Sequence, residues 1–169
     1  MNITDINICL DEFLLFIVNA KKNGYAAHRE RASSSRLASK DYEYREKDFC
    51  YRDSYFGSLY DLGQEIIWYR EIPIWGMSYY GGMKPEWRSI SEEIFIFLRD
   101  ALANVEPSLP FRGPSQFSHR NLKYINNVTG NIEMFMGDEL ILSDDIIVYN
   151  KIYHGGIILG KNTKINLIT

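Results

Sequence analysis

The chain has 169 residues, a formal net charge of −3 and 14% aromatic residues. This length allows a substantial core and fits a single domain spanning residues 1–169. The acidic balance argues against direct binding of nucleic acid, and no apolar run is long enough to cross a membrane. Because there is no signal-peptide pattern and the two cysteines, Cys9 and Cys50, lie far apart, we expect a cytoplasmic protein with reduced thiols.

The chain is predicted to begin with a helix and a long loop. Residues 5–24 carry apolar side chains at helical spacing, with Asp5 as the cap at the start and Gly24 as the stop. Residues 25–41 are polar, basic and rich in serine, which predicts a loop without regular structure. Loops of this length within compact domains are often functional or mobile.

The segment from Phe49 to Met83 predicts a three-stranded antiparallel meander. It is rich in β-branched and aromatic residues and is interrupted by glycines. Arg70 and Glu71 precede a short apolar run that contains Pro73, so we expect them at the tip of a hairpin.

A second helix and a second β region follow. In SISEEIFIFLRDALANVEP, Ser89 and Glu92 have the spacing of a capping box, and Pro107 is expected to end the helix. A proline-rich loop, PSLPFRGPSQFSHR, leads to strands predicted between residues 122 and 159.

The two halves resemble each other in sequence. GQEIIWYREIPIWGMSYYGG, from Gly63, and GDELILSDDIIVYNKIYHGG, from Gly137, align without a gap and are identical at seven of twenty positions, where chance gives about one. We therefore predict an α+β fold made of a duplicated α-βββ unit, with two helices packed on a mainly antiparallel sheet or pair of sheets. The pseudo-repeats cover about residues 5–83 and 89–159 and leave a short C-terminal tail.

His154, in the segment KIYHGGII, raises the question of a catalytic or metal-binding histidine. His28 and His119 stand at no ligand-like spacing from it, and the chain has neither an HExxH motif nor a cysteine cluster, so we expect no metal and no cofactor. The repeat places Tyr80 at the position equivalent to His154. This favours the interpretation of YHGG as a strand-end device, with ligand contact by the histidine as the alternative.

Two further groups of side chains could form a functional site: a pair of glutamates, and a set of aromatic residues with arginines. Glu65 and Glu139 are equivalent in the repeat and would form an acid–base dyad if the halves brought them together, although a salt bridge or solvent exposure is the simpler expectation. Aromatic walls with a few arginines suit a small anionic or planar ligand, and they also suit an ordinary core. The candidate ligand-binding residues are Arg36, Tyr44, Trp75, Tyr79, Arg112, Tyr153 and His154, and no residue is assigned a catalytic role.

Several phrases together resemble a family of uncharacterised domains from bacteria and archaea. They are SSRLASKDYEYREKDFCYRDSYFG, GQEIIWYREIPIWGMSYYG, PFRGP and YHGG, and the resemblance covers roughly residues 10–158. Leu37 and Gln64 depart from the family pattern, which has proline and glutamate there. Members of this family stand alone or follow a helix-turn-helix of the phage-repressor type. The resemblance implies a sensory or accessory domain and carries no activity or cofactor.

The sequence favours a ligand-binding or regulatory domain without catalysis, with a small molecule as the partner. One alternative is a small enzyme that uses Arg112, Tyr153 and His154 on an anionic substrate. The other is a protein-interaction module that forms a homodimer, since an uncovered sheet edge invites pairing.

Overall fold

The computed structural model describes residues 4–27 and 30–169, and His28 therefore lies outside the described residues. No described helix combines the length and apolar character needed to cross a membrane. Short 3-10 helices cover Tyr25–Ala27 and Pro85–Ile90. The remaining regular elements of the described chain are β1 (Thr4–Cys9), α1 (Leu10–Lys22), β2 (Lys40–Glu46), β3 (Phe49–Gly57), β4 (Tyr60–Tyr69), β5 (Ile72–Met83), α2 (Ser91–Leu102), β6 (Gln116–His119), β7 (Leu122–Asn131), β8 (Met134–Ser143), β9 (Ile146–Ile157) and β10 (Thr163–Ile168).

An eight-stranded antiparallel sheet dominates the fold, in the order β2-β3-β4-β5-β9-β8-β7-β6. β1 and β10 form a separate parallel pair. The predicted α+β class is confirmed. Each half contributes four strands to the large sheet, one more than the sequence suggested. The halves meet where β5 pairs with β9, and Tyr79 there lies opposite Tyr153.

Both helices cover the same face of the large sheet. Every second residue of each strand points to this face and packs against the helices. Phe13 and Ile17 of α1 belong to a core cluster with Tyr51 and Ile67. The corresponding residues of α2 pack in a second cluster against the other half of the sheet, and this cluster includes Ile94, Phe97, Leu98, Tyr124, Ile141 and Tyr149. The face that carries the helices is therefore the inner face of the sheet.

The first predicted helix begins later than expected, because its first residues form β1. Asp5 lies within that strand and does not cap a helix, and α1 starts at Leu10. Ile6 and Ile8 alternate into the core, as a strand requires, and β10 supplies the backbone partners of β1. Apolar residues at positions 6, 10 and 13 also fit a helical spacing, so pairing with the distant β10 decides the outcome.

The second helix is shorter than predicted at both ends. A 3-10 helix that starts at Pro85 occupies Ser89, so α2 begins at Ser91 without a side-chain cap and the capping-box prediction is wrong. The helix ends at Leu102, before Pro107, and the chain then turns so that Val105 is buried.

The predicted hairpin tip at Arg70 and Glu71 is confirmed. Both residues have positive φ angles, 48° and 67°, which match the twist of a two-residue turn between antiparallel strands. Asp144 and Asp145 make the same kind of tip between β8 and β9, with φ angles of 47° and 64°.

Candidate functional site

A cavity of about 240 Å³ lies between the two helices and the inner face of the sheet. Its floor comes from strands β3, β4, β5 and β9, and its walls come from α1, α2, the residues Tyr25, Ala26 and Arg31, and the segment 57–61. The charged side chains that line it are Lys21, Arg31, Lys40, Asp53, Asp61, Glu65, Arg99, Arg112 and Lys151. Burying so many charges is costly unless they are paired. The charges that lack a partner within the protein are therefore the ones that could pair with a ligand.

Three of the cations have acidic partners close by. Lys21 donates to Glu65, and Lys151 Nζ lies 2.6 Å from Asp61 Oδ1. Burial lowers the pKa of Lys21 and that of Lys151, and the carboxylates only partly oppose this effect. These pairs place charge-assisted hydrogen bonds along the floor of the cavity.

Arg112 forms the third pair and joins the two halves of the sheet. Its Nη2 lies 2.7 Å from Glu139 Oε1, and its Nη1 lies 3.8 Å from Glu65 Oε1. Burial acts to raise the pKa of Glu139, but the charge and hydrogen bond of Arg112 outweigh it and lower the pKa. The two equivalent glutamates therefore share one guanidinium and serve in salt bridges.

Asp53 is the one acid lining the cavity that has no ion pair among the described residues. It lies on β3 directly opposite Glu65 of β4, and the residue is 7% exposed. Tyr79 donates its hydroxyl hydrogen to Asp53 Oδ1 at 2.6 Å. Burial, and then the charge of Glu65, raise the pKa of Asp53 to about 7.

The second half of the sheet has a similar set of side chains, but a loop closes it. Asn126 lies opposite Glu139 as Asp53 lies opposite Glu65, and Tyr153 donates to Asn126 Oδ1 at 2.6 Å. Gly113, next to Arg112, accepts a hydrogen bond from Asn126 Nδ2 through its carbonyl oxygen at 2.9 Å.

Further hydrogen bonds fasten the same loop to the sheet. The amide of Gly113 donates to the hydroxyl of Tyr124 at 3.1 Å, and Tyr124 donates to Glu139 Oε2 at 2.7 Å. A Cβ at position 113 would lie 3.0 Å from the Tyr124 ring, so glycine permits the close fit. The loop thus satisfies the polar groups of the second half, whereas the corresponding groups of the first half face the cavity.

The outer part of the cavity carries three cations that have no acidic partner among residues 4–27 and 30–169, namely Arg31, Lys40 and Arg99. Lys40 donates to the carbonyl oxygen of Gly57. Aromatic and apolar side chains also line the cavity, and they include Tyr25, Tyr55, Phe95, Leu98 and Leu102.

Two of the seven residues proposed from sequence line this cavity, Tyr79 and Arg112. Tyr153 lies beside them on the inner face, with its hydroxyl bound to Asn126. Trp75 and Tyr44 are in or against the core: Trp75 stacks on Phe135 at 5.5 Å and Tyr44 packs on Phe16 at 5.8 Å.

Arg36 and His154 lie on the opposite face of the sheet. Arg36 donates to the hydroxyl of Ser54 at 2.9 Å, and its guanidinium stacks over Phe56. His154 is exposed and lies opposite Ser78 and Met136 on the neighbouring strands. Because successive side chains of a strand alternate between faces, the structure does not bring His154 together with Tyr153 and Arg112.

The glycines after His154 do not end the strand, since β9 continues to Ile157. A Cβ on Gly155 would lie 2.1 Å from the carbonyl oxygen of Gly76, so this glycine allows the backbones of β5 and β9 to approach closely.

Sequence reasoning missed Lys21, Asp53 and Lys151. Only one of them left a signal: aligning YRDSYFG with YINNVTG places Asp53 against Asn126, so the two halves differ there by an acid and an amide. Lys21 and Lys151 became recognisable only when α1 and β9 were placed over the same cavity.

The comparisons with known proteins identify one family. A model of a domain of unknown function, DUF5680, matches residues 53–158. The match includes Asp53, Glu65, Arg99, Arg112 and Lys151, and it agrees with the resemblance to uncharacterised domains. No curated protein and no solved structure matches the chain.

Proposed function

Because the chain belongs to the DUF5680 family, whose function is unknown, we propose its function from the cavity: the domain binds a small anionic molecule between its helices and its sheet. The observation that carries this proposal is the imbalance of charge in the cavity. Three cations lack acidic partners in the described chain, namely Arg31, Lys40 and Arg99. The inner cations, Lys21, Arg112 and Lys151, each have one.

The ligand's negative group is assigned to the outer part of the cavity. An anion there would receive charge-assisted hydrogen bonds from the three outer cations, and such bonds are each worth about 1.5–3 kcal/mol when formed. The side chains of Tyr25, Tyr55 and Phe95 would enclose the less polar part of the molecule. A partly enclosed cavity with apolar walls and a few oriented polar groups is the usual form of a small-molecule site.

The proposal is tested by thermal shift and then by isothermal titration calorimetry with a panel of anions and their uncharged counterparts. The panel contains 2-oxo acids, sugar phosphates and nucleoside monophosphates, each beside a neutral analogue. We expect at least one anion to bind, and its neutral analogue to bind at least about tenfold more weakly, a difference of roughly 1.4 kcal/mol.

Arg99→Gln should weaken binding of the anion by about tenfold or more, because it removes one outer cation. Arg70→Gln is the matched control, since Arg70 pairs with Asp48 at an exposed hairpin tip away from the cavity. Binding by no anion in the panel, or equal losses in the two variants, would count against the proposal.

We also propose that the two halves of the sheet arose as copies of one unit. Support comes from equivalent residues in equivalent places: Gly63 and Gly137 lie under Tyr79 and Tyr153, and a Cβ on either glycine would come within 2.4 Å of the tyrosine hydroxyl. The central strands pair so that these two tyrosines face each other. In this view the first copy kept an open cavity, and the second copy was closed by the Arg112 loop.

A further inference from the structure

We propose that the cavity is an active site in which Asp53 moves a proton on a bound anionic carbonyl compound. This inference rests on the proposed function, because the substrate's negative group must first be held by the outer cations. It goes further in assigning a reaction class, proton abstraction from a carbon next to a carbonyl, and in giving Asp53 and Lys21 separate roles.

Two acids lie side by side on the floor of the cavity. Asp53 and Glu65 are direct neighbours across β3 and β4, but among the described residues only Glu65 has ion pairs, with Lys21 and Arg112. Asp53 accepts its hydrogen bond from the neutral hydroxyl of Tyr79. Two adjacent carboxyl groups in different surroundings are a recurring arrangement for acid–base catalysis, since the unpaired acid can exchange its proton near neutral pH.

Lys21 supplies the second requirement, a donor for developing negative charge. Its ammonium group carries three hydrogens, and the described structure gives it one acceptor, Glu65. Lys21 lines the same cavity as Asp53, and each side chain alters the pKa of the other through its charge. A second hydrogen of Lys21 is therefore available to a substrate oxygen beside Asp53.

The proton transfer balances without a further reactant. The Asp53 carboxylate takes a proton from the carbon next to the carbonyl and becomes a carboxylic acid. The electrons of the broken C–H bond form a C=C bond, and the carbonyl π electrons move to oxygen, where Lys21 donates a hydrogen bond. Asp53 then returns a proton to the same carbon, and because its carboxylic acid can exchange hydrogen with solvent in the meantime, the net result is hydrogen exchange at that carbon.

The closed half of the sheet provides an internal comparison. Asn126 occupies the place of Asp53, and an amide cannot accept and return a proton in this way. The loop at Arg112 and Gly113 covers that place and takes up its hydrogen bonds. The half of the sheet that is open to the cavity therefore carries an ionisable acid, Asp53, and the half that the loop closes carries a neutral amide, Asn126.

Solvent-deuterium exchange tests this inference. Those 2-oxo acids and sugar phosphates that bind by calorimetry are incubated with the protein in D₂O, and proton NMR follows loss of the signal next to the carbonyl. The wild-type protein should exchange at least one bound compound faster than buffer. Asp53→Asn should slow the catalysed exchange by about 100-fold or more, the size of a general-base contribution.

The variant is expected to fold and to bind, because Asn126 already shows an amide accepting from a tyrosine at the matching position. Asp48→Asn is the control; it changes an exposed acid at a hairpin tip and should exchange at the wild-type rate. Binding without exchange in the wild-type protein, or equal exchange by Asp53→Asn, would overturn the inference and leave the proposed function standing. Absence of binding by every compound would overturn both.

Discussion

Asp53 makes the stability of the protein depend on pH in a direction that is unusual for an acid. Burial and the charge of Glu65 raise its pKa to about 7, whereas an aspartate in an unfolded chain has a pKa of about 4. Between these values the folded protein holds the proton more tightly than the unfolded chain does. The contribution of Asp53 to stability is therefore full below about pH 4 and is lost as the pH rises towards about 7.

Asp53→Asn removes this dependence while leaving an acceptor for Tyr79. The free energy of unfolding of the variant, minus that of the wild type, should rise with pH between about 4 and about 7 and stay constant above that window. Urea unfolding at a series of pH values measures the difference, in which the titrations of other groups largely cancel. A difference that does not change with pH would show that Asp53 ionises normally.

Gly63 holds Tyr79 in place by having no side chain. A Cβ there would lie 2.2 Å from the tyrosine hydroxyl, and the ring cannot move without losing its hydrogen bond to Asp53. We expect Gly63→Ala to lower the free energy of unfolding by about 1–3 kcal/mol, as overpacking does in cores. Chemical denaturation checks the value.

Gly160→Ala is the control for that change, because a Cβ at position 160 meets the end of the Thr163 side chain and the residue is exposed. It should alter stability by no more than about 0.5 kcal/mol. Similar losses in the two variants would mean that the packing of Tyr79 is not what position 63 protects.

The loop that carries Arg112 is held chiefly by one ion pair with Glu139 and by the hydrogen bonds of Gly113. Glu139→Gln would leave a buried guanidinium without its main counter-charge. We therefore expect a loss of about 3–5 kcal/mol in unfolding free energy, measured by guanidinium chloride denaturation.

Glu12→Gln gives the comparison for an exposed pair. Glu12 and Lys47 are both well exposed, and exposed pairs contribute about 1 kcal/mol or less. If Glu139→Gln were as mild as Glu12→Gln, the account of the loop as a buried, charge-held closure would be wrong.

At the level of elements, the sequence pattern correctly predicted those features that depend on interactions between neighbouring residues. The tip at Arg70 and Glu71 follows from chain reversal between two apolar runs, and it was predicted correctly. β2 was missed because KDYEYRE is polar, and its burial comes from α1 and from the loop that bonds to Asp41. β1 was predicted as helix because the strand that pairs with it, β10, lies at the far end of the chain.

For the molecule as a whole, the α+β class was predictable from the order of helical and strand patterns, but the site was not. Which face a strand residue occupies depends on register, and the pairing of Tyr79 with Tyr153 across β5 and β9 is set by contacts between distant segments. A shift by one residue moves a side chain to the other face. This separates His154 from Tyr153, its neighbour in sequence.

Chemical type alone also could not assign Arg36 and Arg112 to different places. Both are arginines in polar loops, yet Arg36 lies over Phe56 on the outer face and Arg112 is buried beside Glu139. The partners of each arginine decide its position. Ser54 lies 18 residues from Arg36 in the sequence, and Glu139 lies 27 residues from Arg112.

The most direct test of the central claim is a crystal structure of the protein with the anion from the panel that binds most tightly. We expect the ligand in the cavity, with its negative group in contact with Arg99 or Lys40 and its other end beside Asp53. A ligand bound on the opposite face, next to Arg36 or His154, with the cavity empty, would contradict it.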